Sequence, residues 1–598
     1  MKSVLLSRRD VDFLLFEWLR VDELTKHQRF AEHSRETFAG VLDLCEQLAE
    51  RYFAPHNKTS DANEPTFDGE KVTVVPEVKE AWDAFAEADL MSMVMDERLR
   101  GAQLPVTVAQ AGLAWFSAAN VSTTGYLMLT MANANLLARF SSPELVEAYL
   151  APMLTGRFSG TMALSETQAG SSLADILTRA EPQADGTYRL YGSKMWISGA
   201  EHEMTDNIVN LVLAKIPGGP PGTKGISLFV VPKYLVNADG TIGERNDVAL
   251  AGLNHKMGQR GITNTVLSLG DGTFSPGGMP GAVGYLVGEQ HRGIAYMFTM
   301  MNEARLGVGV GAVALGYTGY LKSLQYARER PQGRPVTAKD PAAPQVPIIE
   351  HADVKRMLLA QKAYVEGGMA LLLYCAKLVD VERGAESDDE RDHAALLLEM
   401  LTPVGKSWPS QWCLEANNLA IQVHGGYGYT REYDVEQHYR DNRLNSIHEG
   451  THGIQSLDLL GRKVTMRAGA GLVALGEAIG QTVAEADSLG DESAEHAARL
   501  DASWRRLAAV TAAMFGSGDI EAALANSVPY LEAFGHIVVA WIWLQQVIAA
   551  HGRDGDFYDG KRQAARYFFR YELPKTAPQL DLLESLDRTT LDMRDAWF

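Results

Sequence analysis

A chain of 598 residues is several times the usual domain length, so two to four cores are expected and burial is not limiting. With 46% hydrophobic and 22% charged residues it is neither disordered nor fibrous, and a net charge of -20 without a Lys/Arg stripe argues against a nucleic-acid surface. Only three cysteines occur, Cys45, Cys375 and Cys413, far apart and without C-x-x-C spacing. No disulfide framework or cysteine zinc site is implied, and the expected compartment is a reducing one, the cytoplasm.

The apolar run Ser3–Ser7 is too brief for a signal-peptide core. Residues 1–157 then read as an N-terminal helical domain with an extension: Phe38, Val41, Cys45 and Leu48 recur at helical spacing, and Pro55 to Pro65 is a polar break. From 158 to 287 the period changes to a middle β domain, with strand-like runs at 208–214, 226–231 and 266–269 and a closing loop at 270–284. Residues 288–466 return to helical spacing, for example Val354, Leu358, Val365, Met369 and Leu372, and form a C-terminal helical bundle. An extra helical domain follows over 467–598. Its most apolar stretch, 537–544, is closed by His536 and Gln545-Gln546, so it reads as a buried helix and no transmembrane segment is expected. The predicted class is mainly α with a central β domain: N-terminal helices, a small β-sheet or barrel, a four-helix bundle and a helical tail.

Four segments carry chemistry. Met162-Ala-Leu-Ser-Glu-Thr-Gln-Ala-Gly-Ser171 follows a strand and can present N–H groups and hydroxyls to a planar ligand. Gly192-Ser-Lys-Met-Trp-Ile-Ser198 is a short strand with Trp196 and Ser198 on one face, an aromatic ring beside a hydroxyl that suits a flavin. Each alone reads first as a hairpin with a core Trp. Gln422-Val-His-Gly-Gly-Tyr-Gly428 is a helix end whose glycine amides suit phosphate oxygens, or simply a C-cap. Gly307, Gly309 and Gly311 lie in a helical pattern with no preceding strand, so they indicate close helix packing rather than a dinucleotide fingerprint.

The fourth segment, Ile447-His-Glu-Gly-Thr-His-Gly-Ile-Gln455, supports incompatible stories. His448, Glu449 and His452 satisfy H-E-x-x-H, the pattern of a zinc hydrolase, which needs a continuous helix. Gly450 costs about 1 kcal/mol inside a helix, and Thr451 before Ile454, Leu457 and Leu460 is a good N-cap. The helix is therefore predicted to start at Thr451, leaving Glu449 on the preceding loop. There it is either a general base or an acidic residue favoured by the helix dipole.

Taken together and in this order, the segments resemble the acyl-CoA dehydrogenase family over residues 40–465. The resemblance implies FAD as cofactor, with Leu164, Ser165, Trp196 and Ser198 lining the isoalloxazine. Tyr326-Ala-Arg-Glu-Arg-Pro-Gln-Gly333 is similar to the family's ERxxFG segment, although it lacks the phenylalanine and is one residue shorter. It gives Arg330 and Gln332 a role at the FAD pyrophosphate of a neighbouring subunit, while Gln422, Gly425 and Gly426 complete the adenine side. Glu449-Gly-Thr-x-x-Ile-Gln455 resembles the catalytic EGT-x-x-IQ signature, making Glu449 the base, with Thr451 and Gly453 beside the cofactor. Ser171, Asn302, Arg305, His448 and Gly450 fall on the substrate side. Some relatives carry the base near Arg305, but Ala304 holds that position here, with Glu303 adjacent. The residues beyond about Arg467 resemble the longer bacterial branch, whose members act on fatty acyl-CoA or 3-methylmercaptopropionyl-CoA. The implied partners are an acyl-CoA, an electron-transfer flavoprotein and a second copy of the chain, in fatty acid β-oxidation or related catabolism. The alternatives are an acyl-CoA oxidase using O2 and, more distantly, the zinc hydrolase.

Overall fold

The computed structural model describes residues 3–338, 340 and 342–598, without the side chains of 299–302. Asn302, expected on the substrate side, therefore lies outside the described residues. The chain forms two units: Met1–Ala39, Pro105–Ala114 and Arg305–Phe598 make one, and Gly40–Leu104 with Trp115–Ala304 the other. Two long helices, α1 (Val106–Phe140) and α2 (Gly293–Glu329), contribute residues to both.

Eight strands build the sheet of the second unit: β1 (Phe158–Ala163), β2 (Arg179–Pro182), β3 (Tyr188–Ser198), β4 (Asn207–Lys215), β5 (Ile226–Pro232), β6 (Val248–Leu253), β7 (Asn264–Leu269) and β8 (Ala282–Leu286). Their order is β6-β7-β3-β8-β5-β4-β1, and β2 pairs with both β3 and β4, which closes a small barrel through β3, β8, β5, β4 and β2. Along β4 the side chains alternate between two cores. Val212 and Ala214 pack with Leu190, Phe229 and Val231, whereas Val209, Leu211 and Leu213 pack with Leu136, Leu137 and Met153. Burial on both faces explains the nearly continuous apolar runs of β4 and β5. Asn133 of α1 crosses this packing and donates to the carbonyls of Thr161 (3.2 Å) and Val209 (2.8 Å).

Two sequence expectations change here. The closing loop ends sooner than 284, because Ala282 and Val283 already pair with Leu190 and Arg189 of β3. Gly284 masked the strand in the sequence, yet it is required there: a Cβ would lie 2.5 Å from the Leu190 side chain. Nor is Pro55 to Pro65 simply a break, since Asn57–Ala62 is helical and follows a single turn, Ala54–His56, with proline at its start, where the missing N–H costs nothing.

In the first unit α2 packs with α3 (Ala352–Gly384), α4 (Asp388–His424) and α5 (Val435–Arg443). Gly309 of α2 meets α4 at Gly405, where a Cβ would sit 2.2 Å from the Gly405 carbonyl oxygen. Close packing is thus the use of that glycine. After the short helix α6 (His452–Asp458), the tail forms α7 (Ala470–Leu489), α8 (Asp491–Gly516), α9 (Ser527–Ala549) and α10 (Asp556–Tyr567). Helix α9 is long and apolar enough to cross a membrane by length and composition, but 83% of its apolar window is buried inside the protein. Trp543 of α9 packs against Gly367 of α3 and donates to the Ala363 carbonyl at 3.2 Å. Buried Lys561 of α10 pairs with Asp10 and, at 2.9 Å, with Glu366 of α3, tying the tail to the first turn of the chain and to the bundle.

Candidate active site

In the β unit the turn after β1 is held against β3 by two bonds. The Met195 N–H donates to the Ser165 carbonyl at 3.0 Å, and the Lys194 ammonium donates to the Leu164 carbonyl, also at 3.0 Å. Lys194 further pairs with Glu166 at 2.9 Å, and both side chains are buried. Glu166 also accepts from the N–H groups of Leu177 (2.7 Å) and Thr178 (3.0 Å), so the whole turn is braced around one carboxylate. Burial pushes Glu166 up, but the Lys194 charge and these donors prevail and hold it at about 2. For the deeper Lys194 burial outweighs the pairing and brings it down to about 8.

Next to Lys194 the strand bulges, since pairing with β7 passes from Lys194↔Leu267 to Ile197↔Thr265. Trp196 sits in this bulge with φ +67° and is 59% exposed, while Ile197 turns inward and Ser198, half-buried, accepts from Asn264 Nδ2 at 3.1 Å. An indole offered to solvent on a strained backbone is costly for a core-forming residue and well suited to covering a planar ligand. Leu164, Ser165, Trp196 and Ser198 are thereby gathered in one place. Ser171 is exposed in the loop that follows.

The second cluster lies in the helical unit. Thr451 is the N-cap of α6, its hydroxyl accepting from the Ile454 N–H at 3.3 Å. Helix geometry is therefore absent from His448 to Thr451, and the continuous helix that a zinc pair needs is not formed. Glu449 has φ +51° and Gly450 φ +88°. A residue other than glycine held in this region costs about 1–3 kcal/mol, so the surroundings must fix it. Glycine suits position 450 because its φ of +88° strains any other residue, and a Cβ there would also crowd Gln455 Nε2 at 2.5 Å.

Three buried side chains fix the loop. Gln455 donates to the Glu449 carbonyl at 3.0 Å. Lys406 of α4 donates to the carbonyls of Asn445 (2.7 Å) and Gly450 (2.6 Å). Asn445 Oδ1 accepts from His448 Nε2 at 3.0 Å, and Asn445 Nδ2 continues the chain through Asn442 to Asn417 by bonds of 2.9 and 2.7 Å. Burial and the Lys406 charge push His448 down to about 3, so the ring is neutral. Glu449 keeps a partial opening to solvent while surrounded by protein; burial raises its proton affinity, and the charges of Lys406 and Arg305 oppose that rise. Its own backbone N–H has no protein acceptor among the described residues.

Arg305, expected on the substrate side, has a buried guanidinium paired with Asp458 of α6 at 2.9 Å, and its charge acts on Glu449. Glu303 accepts from Asn135 at 3.0 Å. A third cluster unites Arg330, whose guanidinium lies 5.5 Å from the Tyr427 ring centre, with the loop after α4. Tyr326 stacks on His424 at 4.3 Å, and Gly425 ends α4 with φ +62°. Gln422, Gly425 and Gly426 are exposed beside it, as is Gln332 on the following segment, whose carbonyl accepts from His351 Nε2 at 2.7 Å. Thr451 and Gly453 are half-buried at the start of α6.

Lys406, Gln455 and the Glu166–Lys194 pair had no assigned roles in the sequence. The signal for Lys406 is a single lysine in the apolar stretch Thr402–Trp408, far along the chain from Glu449. Only the fold brings it under the loop.

The comparisons with known proteins define a flavoprotein oxidoreductase. Acyl-CoA dehydrogenase models match in chain order: the N-terminal domain at 36–157, the middle domain at 161–271 and the C-terminal domain at 291–464. A fourth, "Acetyl-CoA dehydrogenase C-terminal like", matches 475–594. The chain is 35% identical to 3-methylmercaptopropionyl-CoA dehydrogenase of Ruegeria pomeroyi, covering 94% of each. It is 34% identical to the broad-specificity linear acyl-CoA dehydrogenase FadE5 of Mycobacterium tuberculosis, covering 99% of each. Among solved structures, Caenorhabditis elegans ACDH-11 in complex with C11-CoA matches with a TM-score of 0.74 at 18% identity, over 99% of this chain and 91% of that one. The protein belongs to the acyl-CoA dehydrogenase family, in the form that carries a C-terminal helical domain. It is an FAD-dependent oxidoreductase that dehydrogenates an acyl-CoA. The exposed Trp196 beside Ser198 and the pinned Leu164–Ser165 turn fit the flavin of that family.

Proposed function

We propose that the protein converts a saturated acyl-CoA to the trans-2-enoyl-CoA, with Glu449 removing the C2 proton. One observation carries this reading: Glu449 is a carboxylate of raised proton affinity, held in a left-handed conformation beside a glycine that leaves room for substrate. FAD, when bound, accepts the hydride from C3, so that neither half-product carries its charge alone. A placed carboxylate contributes about 10²–10⁴-fold as a base, most effectively when burial brings its pKa toward the working pH. The Glu449 N–H is available to the thioester oxygen as negative charge develops there, which is oxyanion-hole logic.

In this reading Leu164, Ser165, Trp196, Ser198, Thr451 and Gly453 line the flavin. Ser171, Asn302, Arg305, His448 and Gly450 face the substrate. Arg330, Gln332, Gln422, Gly425 and Gly426 serve the FAD of a second copy in a homodimer. Electrons pass to an electron-transfer flavoprotein in the cytoplasm, during β-oxidation of fatty acids or related acyl-CoA breakdown. The domain limits at 157, 287 and 466 belong to the same proposal. Three free, buried cysteines accord with a reducing compartment.

Glu449→Gln is expected to retain yellow FAD but to fail to bleach when mixed anaerobically with saturated acyl-CoA thioesters. Bleaching at the rate of the parent enzyme removes Glu449 from the mechanism.

A further inference from the structure

We infer that Lys406 is a positioning residue for the dehydrogenation: its ammonium binds the carbonyls on either side of Glu449 and places a positive charge beneath the carboxylate. The inference rests on the reading of Glu449 as the base. Lys406 is fully buried on α4, and its bonds of 2.7 Å to Asn445 and 2.6 Å to Gly450 bracket the catalytic loop. Among the described residues no carboxylate lies at ion-pair distance from it, so no resident counterion consumes its charge. A buried ammonium without a paired carboxylate is expensive, and it persists where another group uses it.

The other groups around Glu449 do not substitute for it. Arg305 of α2 is already paired with Asp458 of α6. His448 on the same loop is neutral and bonded to Asn445, and burial with the Lys406 charge keeps His452 neutral at about 4. Gln455 holds the Glu449 carbonyl but carries no charge. Among the described residues, Lys406 alone combines a grip on the loop with a cation that has no paired carboxylate.

The role is read from the pH dependence of anaerobic flavin bleaching by acyl-CoA, which rises as Glu449 loses its proton. An opposite charge nearby lowers a carboxyl pKa, so its removal moves the midpoint to higher pH, by about one unit. Below the midpoint the rate then falls about tenfold at a given pH. Lys406→Met and Lys406→Gln, with FAD bound, are both expected to show this shift. The glutamine keeps N–H donors for the loop carbonyls and covers the case in which the methionine protein does not fold. Lys406→Arg should return the midpoint toward that of the parent, and Gln455→Leu should slow bleaching without moving it. An unmoved midpoint in a folded, yellow Lys406→Met or Lys406→Gln enzyme overturns the inference while Glu449 stands. A Glu449→Gln enzyme that bleaches normally overturns the reading beneath it.

Discussion

Two buried lysines support the two functional loops, and they are equipped differently. Lys194 under the Leu164–Ser165 turn holds one carbonyl and is paired with Glu166. Lys406 under the Glu449 loop holds two carbonyls and, among the described residues, has no carboxylate at ion-pair distance. Burial brings both down to about 8. In the proposed function the first loop has only to stay still while covering a flavin, which a closed ion pair with further N–H donors achieves. The second, in the same proposal, must hold a base ready to change charge, for which a cation without a paired carboxylate both fixes the loop and biases the base.

The sharpest way to break this comparison is to remove Lys194. Lys194→Met leaves Glu166 buried without its counterion, which should destabilise the β unit by about 3–5 kcal/mol and release FAD. Lys406→Met strands only neutral carbonyls, at about 1–3 kcal/mol each, so it should be the milder change. Thermal unfolding of the two variants side by side measures the difference, and a larger loss for Lys406→Met contradicts the assignment of the closed pair to Glu166.

A smaller effect compares the two units in acid. Burial lowers His202 in the β unit and His438 in the helical unit to about 3 from 6.5. Their folded pKa values are depressed, so the unfolded chain binds more protons, and stability present above pH 6.5 is lost as the pH falls toward 3. Each histidine contributes a slope of about 1.4 kcal/mol per pH unit in that window. His202→Gln should flatten the acid dependence of unfolding by that amount; an unchanged slope refutes its neutral burial.

The smallest expected change is at Trp196. Exposed and left-handed, it contributes little packing to the fold and glycine relieves its backbone strain, so Trp196→Gly should not lower stability while weakening FAD retention. A large stability loss with unaltered FAD binding would make Trp196 a core residue after all.

By itself the sequence determined whatever is local. The β-rich runs, the helix spacing, the N-cap at Thr451 and the unsuitability of Gly450 for a helix interior all depend on residues within one or two turns of each other, where sterics and capping decide. The strand beginning at Ala282 was missed because Gly284 weakens a local signal whose reason is contact with Leu190, about a hundred residues away. Tertiary structure alone decided how the loops are held: which lysine lies under which carbonyl, that Trp196 faces outward from a bulge, and that Lys561 joins the tail to Asp10 and Glu366. Those choices depend on where a low-dielectric interior places a charge, and no short window of sequence contains that information.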